Sequence, residues 1–455
     1  MDNLENLIID TDSYKASHFK QYPPCTEGLF AYLESRGGEY DNTVFFGLQY
    51  LLKRYLIKAP TMQDVDEAAV FFKAHGEPFP YDAWMKVARQ KYIPLRIRAV
   101  PEGTAVPTGN VLMTVESTDP ECFWMVTWFE TMLMRLWYPI TVATQSREIK
   151  SLIKMYLNAT SDTPELEIPF KLHDFGSRGV SSRESAGIGG MAHLVNFMGS
   201  DTCQGVRFAN HYYTEPMSGF SIPAAEHSTI TTWGRDGEAN AFANMLTQFA
   251  TPGGILAVVS DSYDLDHAVR DLWGTQLKEK VIASGATVVI RPDSGDPRTM
   301  VLNTVRSLDQ SFGHVVNGKG FKVLNHVRVI QGDGVNQQSI EDILVALVNA
   351  GYSATNIAFG MGGALLQKVD RDTQRFAYKT SAAKIDGQWV DVRKQPITDP
   401  GKWSKAGRLH LVRTPEGGFA TVTHGVQDDL LQTVFENGMM DHITTFSEVR
   451  DRARV

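Results

Sequence analysis

Between about residues 166 and 371 the sequence keeps returning to one pattern: a short β-branched or apolar run, a loop of Gly, Asp, Ser and Arg, then helical periodicity. The clearest instances are FKLHDFGSRGVSS (170 to 182), FSIPAAEHSTI (220 to 230), ILAVVSDSYD (255 to 264), TVVIRPDSGDP (287 to 297), VRVIQGDGV (327 to 335) and NIAFGMGG (356 to 363). Such βα units favour a parallel sheet, either closed as a barrel or open and doubly wound. Residues able to do chemistry end strand after strand along the whole region. An open sheet would gather them near its switch point, so the spacing predicts an α/β barrel over 166–371.

The flanks read differently. Residues 1–165 mix helices with strand-like runs such as PLRIRAVPEG and VLMTVES, and residues 372–455 carry β runs at KIDGQWVDV and GRLHLVRTPEGGFATVTHG. The last suggests a hairpin around Pro415-Glu416-Gly417-Gly418. The two ends are expected to pack together as a β-rich α+β region beside the barrel. At 455 residues the chain is too long for one ordinary core, so two regions are the default.

Lysine and arginine total 44 against 52 aspartates and glutamates, a net charge of -8 with no long basic stretch, which argues against a nucleic-acid partner. No run approaches the roughly 18 apolar residues that would span a bilayer. The acidic start, MDNLENLIIDTDSYK, does not read as a secretory signal. Cys25, Cys122 and Cys203 lie far apart with no C-x-x-C pair. Neither a disulfide framework nor a zinc site is suggested, and a reducing cytoplasm fits.

The strand-end loops supply the candidate chemistry. Arg291 to Gly295 puts a guanidinium, a carboxylate and a hydroxyl on one turn, suited to an anion, a sugar diol or a polar base edge. The plainer alternative makes Asp293 a helix cap and Arg291 a structural ion pair. Gly332-Asp333-Gly334 and Gly360 to Gly363 end the next two strands, where glycine lets backbone amides approach a phosphate, although turns use glycine for backbone reasons anyway. Phe175 could stack on a planar heterocycle or simply belong to the core, and Arg178 could be a solvated charge. Glu226-His227 opens a helix, where the imidazole could be a base, a phosphoryl acceptor, a ligand or a buried hydrogen-bonding group; no metal-binding spacing surrounds it. Asp12 to Lys15, and Lys394, Lys402, Lys405 and Arg408, are polar sets remote from the barrel that composition alone would leave as solvated surface.

Taken in order, TDSYKASHFKQYPP, FFGLQYLL, WYPITVAT, KLHDFGSRGVSS, PAAEHSTI, VVSDSYD, IRPDSG, VIQGDGV, IAFGMGGALLQK and GRLHLVRTP resemble the nicotinate and nicotinamide phosphoribosyltransferase family over nearly the whole chain. The resemblance implies an irregular barrel of the type II phosphoribosyltransferase kind and an enzyme that joins nicotinamide to phosphoribosyl pyrophosphate, releasing pyrophosphate. It also implies magnesium, ATP hydrolysed through a phosphorylated histidine, and a homodimer with its active sites at the interface. On matching positions Phe175 and the partner's Tyr14 would sandwich the pyridine, Arg291 would meet the carboxamide oxygen and Asp201 its NH2 group, with Ser221 and Gly332 also lining the site. Asp293 and Asp333 would hold ribose hydroxyls, and Gly362 and Gly363 the 5′-phosphate, with Arg178 and Arg371 adding positive charge. From the partner chain, Arg36, Lys394 and Lys402 would grip pyrophosphate or ATP phosphates. His227 would carry the phosphoryl group, oriented by Glu226 and Asp261. The chain departs from the family pattern at Ser177, Met361 and the short segment 37–43. The alternatives are a nicotinate-specific enzyme, which Asp201 argues against by repelling a carboxylate, and a non-catalytic binding or signalling protein on the same fold.

Overall fold

A computed structural model describes residues 4–398, 403–423 and 428–454. The chain divides into two compact units, one made of Met1–Thr144, His211–Glu215 and Asp370–Arg454, the other of Gln145–Asn210 and Pro216–Val369. The second begins inside the helix Trp137–Thr160 rather than at residue 166.

In the second unit five parallel strands, β1 (Leu172–Asp174), β2 (Ile255–Val259), β3 (Thr287–Arg291), β4 (Val327–Gln331) and β5 (Ile357–Met361), lie in the order β1-β5-β4-β3-β2. The sheet curls round and closes through isolated parallel bridges, Ala224 to Ala257, Gly199 to Phe220 and Asp174 to Ser200. The result is an irregular α/β barrel, as the repeating pattern predicts. One expected strand, in FSIPAAEHSTI, is reduced to bridges: Pro223 has no N–H to contribute, and only its carbonyl, accepting from Ala257 N at 2.9 Å, takes part. The segment around Gly199 and Ser200 joins the ring although its sequence carries no strand signal.

Alternation along the strands separates two layers. Leu256, Val258, Val288, Ile290, Val329 and Phe359 are fully or almost fully buried on one face. Ala257, Val289 and Ile330 turn the other way and pack with Ile222, Ala358 and Phe175. Burial on both faces explains why these strands read as continuous apolar runs. Outside, the helix Pro297–Phe312 starts with proline in its first turn and an Asp296 cap, then buries Val301, Val305, Leu308 and Phe312 at helical spacing. Each such side chain contributes roughly 1.5–3 kcal/mol of burial. The helix Gln337–Asn349 opens with a capping box between Asn336 and Ser339.

The first unit is built on a seven-stranded antiparallel sheet that draws strands from both ends of the chain: Gln388–Asp391, Phe376–Ile385, Thr26–Ser35, Val111–Ser117, Leu95–Ala99, Gln432–Glu436 and Met439–Met440, in that order. The hairpin expected at Pro415 to Gly418 is present between His410–Arg413 and Phe419–Val422, with Gly417 at φ 85°.

Candidate active site

The turn after β3 is compact. Arg291 reaches Asp293 at 3.5 Å, with both side chains about one-fifth exposed (18% and 22%). The helix cap belongs to Asp296, which accepts from Thr299 N at 2.9 Å, so Asp293 is not the cap that the plainer reading would make it. Arg291 Nε is buried without a hydrogen-bond partner, which leaves a donor for an acceptor brought in from outside the chain.

Glycines make room for what gathers round this turn. A Cβ on Gly332 would stand 3.2 Å from Asp293 Oδ1, 3.4 Å from the Phe175 ring and 3.6 Å from Arg291 Cδ, so three expected site residues converge on one bare backbone position. At Gly360 a Cβ would overlap the Phe175 ring at 1.9 Å. The Phe175 amide donates to Met361 O at 3.0 Å, pinning the loop after β1 to the end of β5. Gly362 lies beside the Phe175 carbonyl, and Gly363 beside Gly179, next to Arg178. The segment beside β1 in the barrel carries Asp201, whose carboxylate accepts from Ser221 Oγ at 2.5 Å. Asp333 is exposed on its loop, its carbonyl held by Gln331 Nε2 at 2.8 Å. Together these groups offer a flat aromatic face, a cation beside a carboxylate, a second carboxylate and uncovered backbone, which suits a polar planar ring and a phosphorylated sugar.

His227, nearly half exposed, meets the buried carboxylate of Asp261 through Nε2 at 3.0 Å. The Glu226 carboxylate accepts from the Ser228 hydroxyl, two residues along the chain.

The other unit holds a cleft of about 900 Å³ whose lining includes Tyr14, Arg36, Arg371, Arg375, Lys379 and Lys394. Five cations against three carboxylates, Asp12, Glu130 and Asp372, leave the concavity positive on balance and suited to anions. Glu34, buried, accepts from Arg36 Nε at 2.9 Å and from Lys405 Nζ, while Arg408 pairs with Glu116 at 2.9 Å. Lys405 and Arg408 are therefore engaged inside the unit. Lys402 lies outside the described residues. Lys379 was not among the expected residues; burial, together with Arg36 and Lys394, holds its ammonium below the ordinary lysine range. A signal existed, since Ala377 and Lys379 alternate onto one face of the strand Phe376–Ile385. Among the described residues no three His, Cys, Asp or Glu side chains are grouped to hold a metal ion, and no helix is long and apolar enough to cross a membrane.

Residues 170–439 match the nicotinate phosphoribosyltransferase (NAPRTase) family, and residues 6–97 the N-terminal domain of nicotinamide phosphoribosyltransferase. The chain is 58% identical to a nicotinamide phosphoribosyltransferase of Xanthomonas campestris pv. campestris, over 100% of this chain and 99% of that one. The chain belongs to the nicotinate phosphoribosyltransferase family. Another member, a nicotinamide phosphoribosyltransferase of Acinetobacter baylyi, is 32% identical over 98% of this chain and 97% of its own. Among solved structures, the nicotinate-nucleotide pyrophosphorylase of Pyrococcus furiosus shares the family fold at a TM-score of 0.65 and 16% identity, covering 100% of this chain and 96% of that one. Human nicotinic acid phosphoribosyltransferase does so at 0.57 and 16%, covering 97% and 92%.

Proposed function

We propose that the protein makes nicotinamide mononucleotide and pyrophosphate from nicotinamide and phosphoribosyl pyrophosphate, in salvage of the pyridine ring for NAD. The observation that carries this reading is the convergence of Phe175, Arg291 and Asp293 on Gly332 in a chain of this family. Phe175 stacks on the neutral pyridine, the unpaired Arg291 Nε–H side donates to the carboxamide oxygen, and Asp201 accepts from its NH2 group. A nicotinate carboxylate would meet Asp201 as a like charge.

In the reaction the pyridine nitrogen forms a bond to the anomeric carbon as the bond from that carbon to pyrophosphate oxygen breaks, and the electron pair leaves with pyrophosphate. No proton moves, so the chain's contribution is placement and cationic stabilisation of the leaving group. Asp293 and Asp333 hold ribose hydroxyls, and the amides at Gly362 and Gly363 take the 5′-phosphate. A magnesium ion carried on substrate phosphates would meet Asp293 and Asp333 as the strand-end carboxylates.

The same proposal extends to ATP. With Nε2 donating to Asp261, His227 keeps a lone pair on Nδ1, which attacks the γ-phosphorus while the bond to the ADP oxygen breaks. Arg36, Lys379 and Lys394 suit the phosphates, and in a homodimer the partner subunit's Tyr14 would close the second face of the pyridine. The free cysteines fit a cytoplasmic setting.

One assay tests the reading: purified protein with phosphoribosyl pyrophosphate and magnesium, offered nicotinamide, nicotinate or quinolinate, with and without ATP. Nicotinamide mononucleotide as the main product is expected. Nicotinate mononucleotide as the main product would favour the acid-specific alternative, and no pyrophosphate release with any base would favour a non-catalytic role.

A further inference from the structure

Asp174, the last residue of β1, is fully buried, and the reaction above makes no use of it. Its Oδ1 accepts from Gly176 N at 2.7 Å, closing a short turn over Phe175. Its carbonyl accepts from Asp201 N at 2.9 Å, and its own amide donates to Gly199 O at 3.2 Å. One residue thus ties the loop of the ring-stacking Phe175 to the loop of the amide-reading Asp201. Oδ2 has no hydrogen bond; Thr202 Oγ1, also unbonded, approaches without the geometry of one. Gly190 is pressed against this carboxyl, where a Cβ would stand 3.2 Å from Oδ2 and 3.0 Å from the Thr202 methyl.

A turn of this kind needs only a side-chain acceptor, which asparagine supplies as well as aspartate. Leaving a half-satisfied carboxyl in the interior costs stability, because burial disfavours the charged form. Burial first, and Asp201 in addition, push the Asp174 carboxyl up to about 6. The surrounding groups are otherwise uncharged: Gly190 and Gly205 from the two packed helices, Thr202 from the loop, and His173 in the same strand, which burial holds below the ordinary histidine range.

We infer that Asp174 is a positioning and specificity residue, fixing Phe175 and Asp201 relative to each other and placing a second negative charge behind Asp201 that disfavours an anionic ring substituent. This deepens the reading of Phe175 and Asp201 as base-binding groups and rests on it.

The test uses the full-length enzyme and compares kcat/KM for nicotinamide and nicotinate between pH 5.5 and 8, in wild type, Asp174→Asn and Asp174→Ala, each checked for folding by circular dichroism and melting. The ratio of the two substrates cancels titration of the shared phosphates. For wild type the amide-to-acid ratio rises about fivefold or more as pH passes 6, since a bound carboxylate that shifts Asp174 by about 0.7 pKa unit loses about fivefold in affinity once Asp174 is ionised. Asn preserves the acceptor for Gly176 and can donate to Thr202, so Asp174→Asn keeps its KM for nicotinamide within about twofold while its ratio becomes low and flat with pH. Asp174→Ala opens the turn and raises that KM by about tenfold, with kcat at saturation changed much less. A wild-type ratio and pH profile in Asp174→Asn, or an unchanged KM in folded Asp174→Ala, overturns the inference while nicotinamide turnover by wild type still upholds the functional reading. A wild type inactive on nicotinamide defeats that reading and this one with it.

Discussion

Gly360→Ala isolates the aromatic face of the site with one methyl group. The new Cβ would lie 1.9 Å from Phe175 Cε2, 2.2 Å from Cδ2 and 2.6 Å from Cζ. Carbon atoms rest at about 3.5 Å, so the ring must retreat by roughly 1.6 Å or the β5 backbone must yield. Either response takes Phe175 out of the slot it shares with Gly332, Arg291 and Asp293. Stacking is worth about 0.5–1.5 kcal/mol beyond buried area, which sets the expected rise in KM for nicotinamide at about 2- to 13-fold. Overpacking in a tight core costs a further 1–3 kcal/mol, roughly, and should appear as a lower melting temperature. The KM for phosphoribosyl pyrophosphate, which does not stack on Phe175, should move far less. Initial rates with each substrate varied in turn, beside thermal unfolding, separate these effects. A folded Gly360→Ala enzyme with the wild-type KM for nicotinamide would refute the placement of the base against Phe175.

Four other substitutions probe the remaining groups. Glu34→Gln removes the anion between Arg36 and Lys405, and the KM for phosphoribosyl pyrophosphate or ATP should rise about fivefold or more, as loss of a charged hydrogen bond predicts, with the nicotinamide KM held; equal rises in all three would mean a structural effect only. His227→Ala should retain basal synthesis and lose both ATP stimulation and acid-labile phosphate, whereas Asp261→Asn should slow phosphorylation by at least about tenfold; undiminished ATP stimulation in His227→Ala would show that the phosphoryl group travels elsewhere. Asp201→Asn should narrow the preference for amide over acid, and unchanged selectivity in competition between the two bases would remove Asp201 from that role.

Much of the barrel was legible because parallel strands buried on both faces leave apolar runs, as in Thr287–Arg291 and Val327–Gln331, and because each run ends in loop chemistry. Two ring segments depart from what the sequence suggests, one carrying no strand signal and the other expected as a full strand, each for a physical reason. The stretch Met198 to Asp201 contributes single bridges and has no β-branched residues, and the one around Phe220 to Ala224 is interrupted by Pro223. At the site, the turn from Arg291 to Gly295 stood out by composition, but its alliance with Phe175 depends on contacts between β1, β3, β4 and β5 that no local pattern encodes. The turn of Glu226 towards Ser228 was illegible for a similar reason: residues two apart can bond through a short local turn as readily as a carboxylate can reach its neighbour's ring. Lys379 was overlooked because one lysine in a strand resembles solvated surface until other strands and loops bring further cations beside it.

The ring is stitched unevenly. β1 through β5 are joined by continuous ladders, and these carry Phe175, Arg291, Asp333 and the glycines. The arc that presents Asp201 and Ser221 is attached by one bridge at a time. A change of shape at those bridges disrupts few backbone hydrogen bonds, so the part of the wall proposed to read the ring substituent could be redrawn while the laddered strands stay in register. On the proposed reading, selectivity between amide and acid would be modular, and exchanging only the short segments 199–202 and 219–222 for those of an acid-selective relative, with the buried Tyr213 between them left in place, would be a shorter route to a changed base preference than substitutions on the laddered strands.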